Sequence, residues 1–155
     1  MFFKRFGLVE QFNYDISLIF AILNGKVSSA INRKLYRNFK TAGLEVTPEQ
    51  WTILVYLSDQ DGVSQQELCN AIYKDKPSMT RLIDNMERQE WVARVMNKQD
   101  RRTNHIYLTR YGREVANRTR LIALRTLREA LQGLTIEELN VSQEVLRKIF
   151  SNAKM

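Results

Sequence analysis

The chain reads as a mainly α (α+β) fold, a winged helix-turn-helix with long helices before and after it, on three observations. Apolar residues recur at three- and four-residue steps through most of the sequence. A series of Ser, Thr and Asp residues stands at the starts of those periodic runs, in capping positions. Between residues 91 and 108 the period shifts to two on either side of a basic turn, which is how a β-hairpin reads. Two short helices followed by such a hairpin give the helix, helix, wing order.

Residues 14–40 carry Ile16, Ile19, Phe20, Leu23, Val27, Ala30, Ile31, Leu35 and Phe39 at helical spacing, with Gly43 as a stop. A helix of about 27 residues would span about 40 Å, longer than a chain this size needs for its own core. The excess length predicts a partner surface. Thr47-Pro48-Glu49-Gln50 starts the next helix, with Thr47 as cap, Pro48 in the first turn and Gln50 closing a capping box. Trp51, Leu54 and Val55 are its expected buried face. Asp61-Gly62 reads as a turn, and Ser64-Gln65-Gln66-Glu67 as a second capping box opening a short helix with Leu68, Cys69 and Ile72 inward and an end near Tyr73.

Asp75 caps the following helix, Pro77 sits in its first turn, and Met79, Leu82, Ile83 and Met86 form its apolar stripe. The opposite face then presents Pro77, Arg81, Asp84 and Arg88, flanked by Ser78 and Thr80. Strands over 91–96 and 103–108 enclose the turn Asn97-Lys98-Gln99-Asp100-Arg101-Arg102. Thr109 caps a helix running through Val115, Ile122, Leu127 and Leu131 to Gly133. Thr135-Ile136-Glu137-Glu138 boxes the last helix, with Leu139, Leu146 and Ile149 on it.

With 155 residues, 44% of them hydrophobic and two prolines, the chain is expected to be one folded domain over 1–155 rather than a disordered one. Within it, 14–42 and 110–153 are expected to form dimerisation helices and 47–109 the winged-helix lobe. Net charge is +7, and residues 74–113 hold ten basic and five acidic groups, so the excess sits on the helix and hairpin of that lobe. Cys69 is the only cysteine, which excludes an internal disulfide and fits a reducing, cytoplasmic setting. No run approaches the ~18 apolar residues of a membrane span, and the N-terminus lacks a secretion-signal pattern; no membrane partner is expected.

The second helix of a helix-turn-helix enters the major groove of duplex DNA by its N-terminal end, where Lys76, Pro77, Ser78, Thr80 and Arg81 stand. An arginine fork can read guanine, and hydroxyls reach phosphates or bases. Alone, Arg81 and Arg88 are ordinary solvated arginines; the hairpin beside them favours the groove reading. A tip bearing Lys98, Arg101 and Arg102 suits phosphates and the narrow minor groove, and Asp100 could orient one guanidinium.

Asp100 and Arg102, five intervening residues, Leu108-Thr109, two more and Gly112 resemble the D-x-R-x5-L-T-x-x-G signature of the MarR family of winged-helix transcription regulators. Residues 77–87 are similar to that family's recognition helix. The resemblance implies an obligate homodimer with interlocked terminal helices, Arg102 in the minor groove held by Asp100, and a small aromatic or phenolic effector. The function it implies is a ligand-responsive repressor on a palindromic operator. One departure stands out: glycine often ends the family's recognition helix, whereas this chain has Gln89-Glu90 before Trp91, so a different closure of that end is expected.

Other classes fit less well. There is no glycine-rich phosphate loop and no nucleophile motif, so no enzyme activity and no cofactor are expected. His105, the only histidine, faces outward from its strand without metal-type neighbours, so no metal site is expected. Cys69 would be a redox sensor only if exposed; on an inner helix face it reads as a packed thiol. A winged helix used purely for protein contacts is the remaining alternative, and it has no need of a basic hairpin tip.

Overall fold

A computed structural model describes residues 14–98, 100 and 103–154. The elements follow in the order α1 (Tyr14–Thr41), α2 (Pro48–Asp59), β1 (Val63–Ser64), α3 (Gln65–Ile72), α4 (Lys76–Arg88), β2 (Val92–Met96), β3 (Asn104–Leu108), α5 (Arg110–Ala130) and α6 (Ile136–Ala153). The capping residues act as the sequence predicts. Thr47 accepts from Gln50 N at 3.2 Å while Gln50 Oε1 accepts from Thr47 N at 2.9 Å. Ser64 with Glu67, and Thr135 with Glu138, close the same reciprocal box. Asp75 and Thr109 each cap from one side, onto Ser78 N and Gly112 N. Each such cap contributes about 1 kcal/mol to holding its helix start.

The core gathers Leu35 and Phe39 of α1, Ile53, Leu54 and Leu57 of α2, Leu68 of α3, Met79, Ile83 and Met86 of α4, and Ile106 of β3, all at most 1% exposed. Burying each such side chain is worth about 1.5–3 kcal/mol, so the core welds α4 to its neighbours. Asn38 Nδ2 donates to Thr126 Oγ1 at 2.8 Å and Lys34 pairs with Glu129 at 2.8 Å, fastening α1 to α5.

The sheet has three antiparallel strands in the order β1-β3-β2, with Val92 opposite Leu108, Met96 opposite Asn104 and Val63 opposite Ile106. The hairpin matches the expectation, but β1 shows in the sequence as no more than the approach to a cap. Two residues are too short for a visible period, and only the neighbouring β3 makes them a strand.

Two further details depart from the sequence reading. The buried face of α2 is Gln50, Ile53, Leu54 and Leu57; Val55 is 40% exposed and Trp51 is half-buried. The i, i+3, i+4, i+7 set centres on Leu54, and Val55 lies about 100° around the helix from it. On α6 no side chain is buried, so Leu146 and Ile149 join Val141, Val145 and Phe150 in an exposed apolar face. No helix among the described residues is long and apolar enough to cross a membrane.

Candidate nucleic-acid interface

Helix α4 begins where Tyr73 turns the chain through the left-handed region (φ 54°) and Asp75 takes over as cap. Asp75 Oδ1 accepts from Ser78 N at 2.9 Å, and hydrogen bonds from the Ser78 backbone and side chain hold the Asp75 carboxyl below the usual carboxylate range. This leaves Lys76, Pro77 and Arg81 exposed along the first turns, with Arg88 exposed further on and Ser78 and Thr80 half-buried. Thr80 is more occupied than the sequence suggests. Its hydroxyl accepts from Gln65 Nε2 at 2.6 Å and donates to Lys76 O at 2.9 Å, so it ties α3 to α4.

Asp84 is exposed as expected, with a partner that the sequence reading did not assign. It faces the hairpin, where Arg94 of β2 reaches Asp84 Oδ1 with one guanidinium nitrogen and Glu87 Oε2 with the other, each at 2.5 Å. The exposed positions of α4 include Lys76, Pro77, Arg81, Asp84 and Arg88, of which Asp84 is paired with Arg94. Sequence reasoning missed Arg94, whose signal was two carboxylates three residues apart on one helix face, followed by an arginine just after a tight turn.

At the wing, Lys98 is exposed and Asn97 N donates to Thr103 O at 2.9 Å. Asp100 accepts from Thr103 twice, its side chain from the hydroxyl and its carbonyl from the backbone N–H, each at 3.0 Å. Arg101 and Arg102 lie outside the described residues, and the expected pairing of Asp100 with Arg102 lies there with them. His105 is half-buried rather than outward, with Asn97 Nδ2 3.5 Å from its Nε2. A cleft of about 360 Å³ lined by Ser64, Gln65, Gln66, Lys76, Thr103 and Asn104 brings the starts of α3, α4 and β3 together. Lys76 therefore sits beside the turn end of the wing.

The wing root is fastened to α5 by the residues of the L-T-x-x-G segment. Thr109 N donates to Trp91 O at 3.0 Å, its hydroxyl donates to Glu90 O at 2.5 Å, and the same hydroxyl accepts from Gly112 N at 2.9 Å. Asp61 accepts from Leu108 N at 2.8 Å and pairs with Arg113. The end of α4 closes through the left-handed region without glycine: Glu90 adopts φ 60°, and Trp91 N returns to Met86 O at 3.0 Å. The closure is thus the one glycine would make, with a side chain carried at the strained position. Cys69 is buried, as expected. Among the described residues there is no group of three His, Cys, Asp or Glu able to hold a metal ion.

A capped helix presenting cations at its start, beside a three-stranded sheet that ends in a basic hairpin, defines a winged helix-turn-helix protein. Residues 44–103 match the sequence model of the MarR family. An uncharacterised helix-turn-helix transcriptional regulator of Bacillus subtilis, YybA, is 24% identical over 74% of this chain and 77% of its own. The S. aureus MepR–DNA complex is 26% identical with a TM-score of 0.75, covering 92% of this chain and 99% of that one. A cysteine-to-serine mutant of MarR from E. coli, complexed with operator DNA, superposes with a TM-score of 0.78 at 22% identity, over 87% of this chain and 95% of that one.

Proposed function

We propose that the chain acts as a homodimer on duplex DNA, as a repressor that leaves its operator when a small molecule binds. Lys76, Pro77, Ser78, Thr80 and Arg81 at the start of α4 meet the major groove, while Lys98, Asp100, Arg101 and Arg102 bring the wing to the minor groove. The observation that carries this reading is the exposed cationic start of α4 set beside the turn end of the hairpin. The partly related MepR, solved with DNA, supports it. The protein acts by binding rather than catalysis, and a buried single thiol with DNA as partner fits a cytoplasmic setting.

Residues 14–42 and 110–153 form the dimerisation part and 47–109 the DNA-binding lobe. Exposed Leu23 and Val27 on α1, Leu121 on α5 and the apolar face of α6 support this, since so much uncovered apolar surface calls for a second copy. For the effector, a cleft of about 230 Å³ between α2 and α5 has apolar walls of Trp51, Val55, Leu124 and Leu127 and a cation in Arg120. That chemistry suits a small aromatic or phenolic anion.

Selection from a pool of random duplexes tests the reading. A two-fold dimer should recover an inverted repeat with half-sites about 10 bp apart, bound with a steep salt dependence. Recovery of single half-sites alone would remove the dimeric docking. Absence of binding even at low salt would favour a winged helix used for protein contacts.

A further inference from the structure

We propose that Arg94 is a positioning residue for DNA recognition: it sets the wing against the recognition helix and keeps two carboxylates of that helix away from the DNA. This rests on the DNA-binding reading above. Both terminal nitrogens of the Arg94 guanidinium are taken by Asp84 and Glu87 at 2.5 Å, and Arg94 N also donates to Glu87 Oε1 at 3.3 Å. The side chain is 21% exposed. An arginine whose fork is filled by two carboxylates has no nitrogen pair left for a phosphate or a guanine, so its contribution runs through the protein.

Helix α4 is pinned to α2 through Gln50 Nε2 on Asn85 Oδ1 at 2.8 Å, and to α3 through Gln65 on Thr80. The hairpin is pinned at its root by Trp91 and Thr109. Arg94 stands further out, opposite Ile106, on the edge strand of the sheet. Among the described residues, the ion pairs joining α4 to the wing both run through it. It therefore sets the separation between the helix that reads bases and the hairpin that reaches the adjacent groove. It also leaves the Asp84–Glu87–Arg94 group one negative charge instead of two beside a polyanion.

The test is the double variant Arg94→Gln with Glu87→Gln, which removes one cation and one anion and so keeps the net charge. Affinity is measured against salt on a selected operator duplex and on a random-sequence duplex, with thermal melting alongside. The expected result is an unchanged salt slope and unchanged affinity on random duplex, with operator affinity reduced about tenfold, within the usual range for residues coupled through one network. Arg94→Lys should recover part of that loss, because an ammonium reaches one carboxylate without spanning both. A salt slope lowered by about one on both duplexes would overturn the inference by making Arg94 a phosphate contact. Equal loss on both duplexes with a lowered melting temperature would reduce it to a packing residue, and no change on either would show the bridge to be idle. Failure of the unaltered protein to bind either duplex at low salt would instead remove the DNA-binding reading itself.

Discussion

Gly112 lies so near Trp91 that a Cβ added at position 112 would stand 1.9 Å from the Trp91 carbonyl oxygen. The first turn of α5 presses onto the residue that leads into β2, and the same carbonyl accepts from Thr109 N. Gly112→Ala must push these two backbones apart, and overpacking of this kind costs about 1–3 kcal/mol. Urea unfolding should show the midpoint falling accordingly; an unchanged midpoint would mean the backbones separate without cost.

Glu90 carries φ 60° where a Cβ is strained. Glu90→Gly should stabilise the protein by about 1 kcal/mol, the typical penalty of the left-handed region for a residue with a side chain. A urea midpoint that rises without a change in slope would agree. A fall would mean that the Glu90 side chain outweighs the strain.

Asp75 and Glu67 both hold their carboxyls below the usual range, Asp75 through Ser78 and Glu67 through hydrogen bonds with Ser64. A folded-state pKa below the unfolded one adds stability that is present above the unfolded value and lost as pH falls through the folded value. Stability should therefore decline on acidification through and below the ordinary carboxylate range. The variant with Asp75→Asn and Glu67→Gln should decline less steeply there. Urea midpoints across that pH series decide it, and identical slopes would rule these caps out as the source.

The uncovered Val141 and Val145 on α6 lie one turn apart. Placing glutamate at both should halve the mass seen by sedimentation at micromolar concentration, because charge buried in an apolar contact is strongly unfavourable. Melting of the variant monitors whether the chain still folds. A folded variant with undiminished mass would place the dimer contact elsewhere.

Arg81 and Arg102 should fail in different ways. Removing the Arg81 guanidinium from a base edge should cost ~1–3 kcal/mol and relax preference at one operator position. Arg102→Ala should weaken binding to nearly every sequence and lower the salt slope by about one for each phosphate the arginine neutralises. Asp100→Ala should resemble a milder form of it. Wild-type binding by Arg102→Ala at every salt concentration would sink the minor-groove role of the wing.

Helix starts were legible in the sequence because a cap is closed within four residues: Thr47 with Gln50, Ser64 with Glu67, Asp75 with Ser78, Thr109 with Gly112 and Thr135 with Glu138 carry their own partners. The hairpin was legible for the same reason, since its period and its basic turn are local, and so was the cationic start of α4. Only the tertiary structure decided that Asp84 pairs with Arg94, that Thr80 spends its hydroxyl on Gln65, that Val63 and Ser64 become a strand, and that Gln50 is buried at 4% exposure while bridging to Asn85. Each of these depends on which surfaces of separate elements are brought together. Burial, packing distance and the pairing of groups remote in sequence arise from that assembly, and no spacing along the chain encodes them directly.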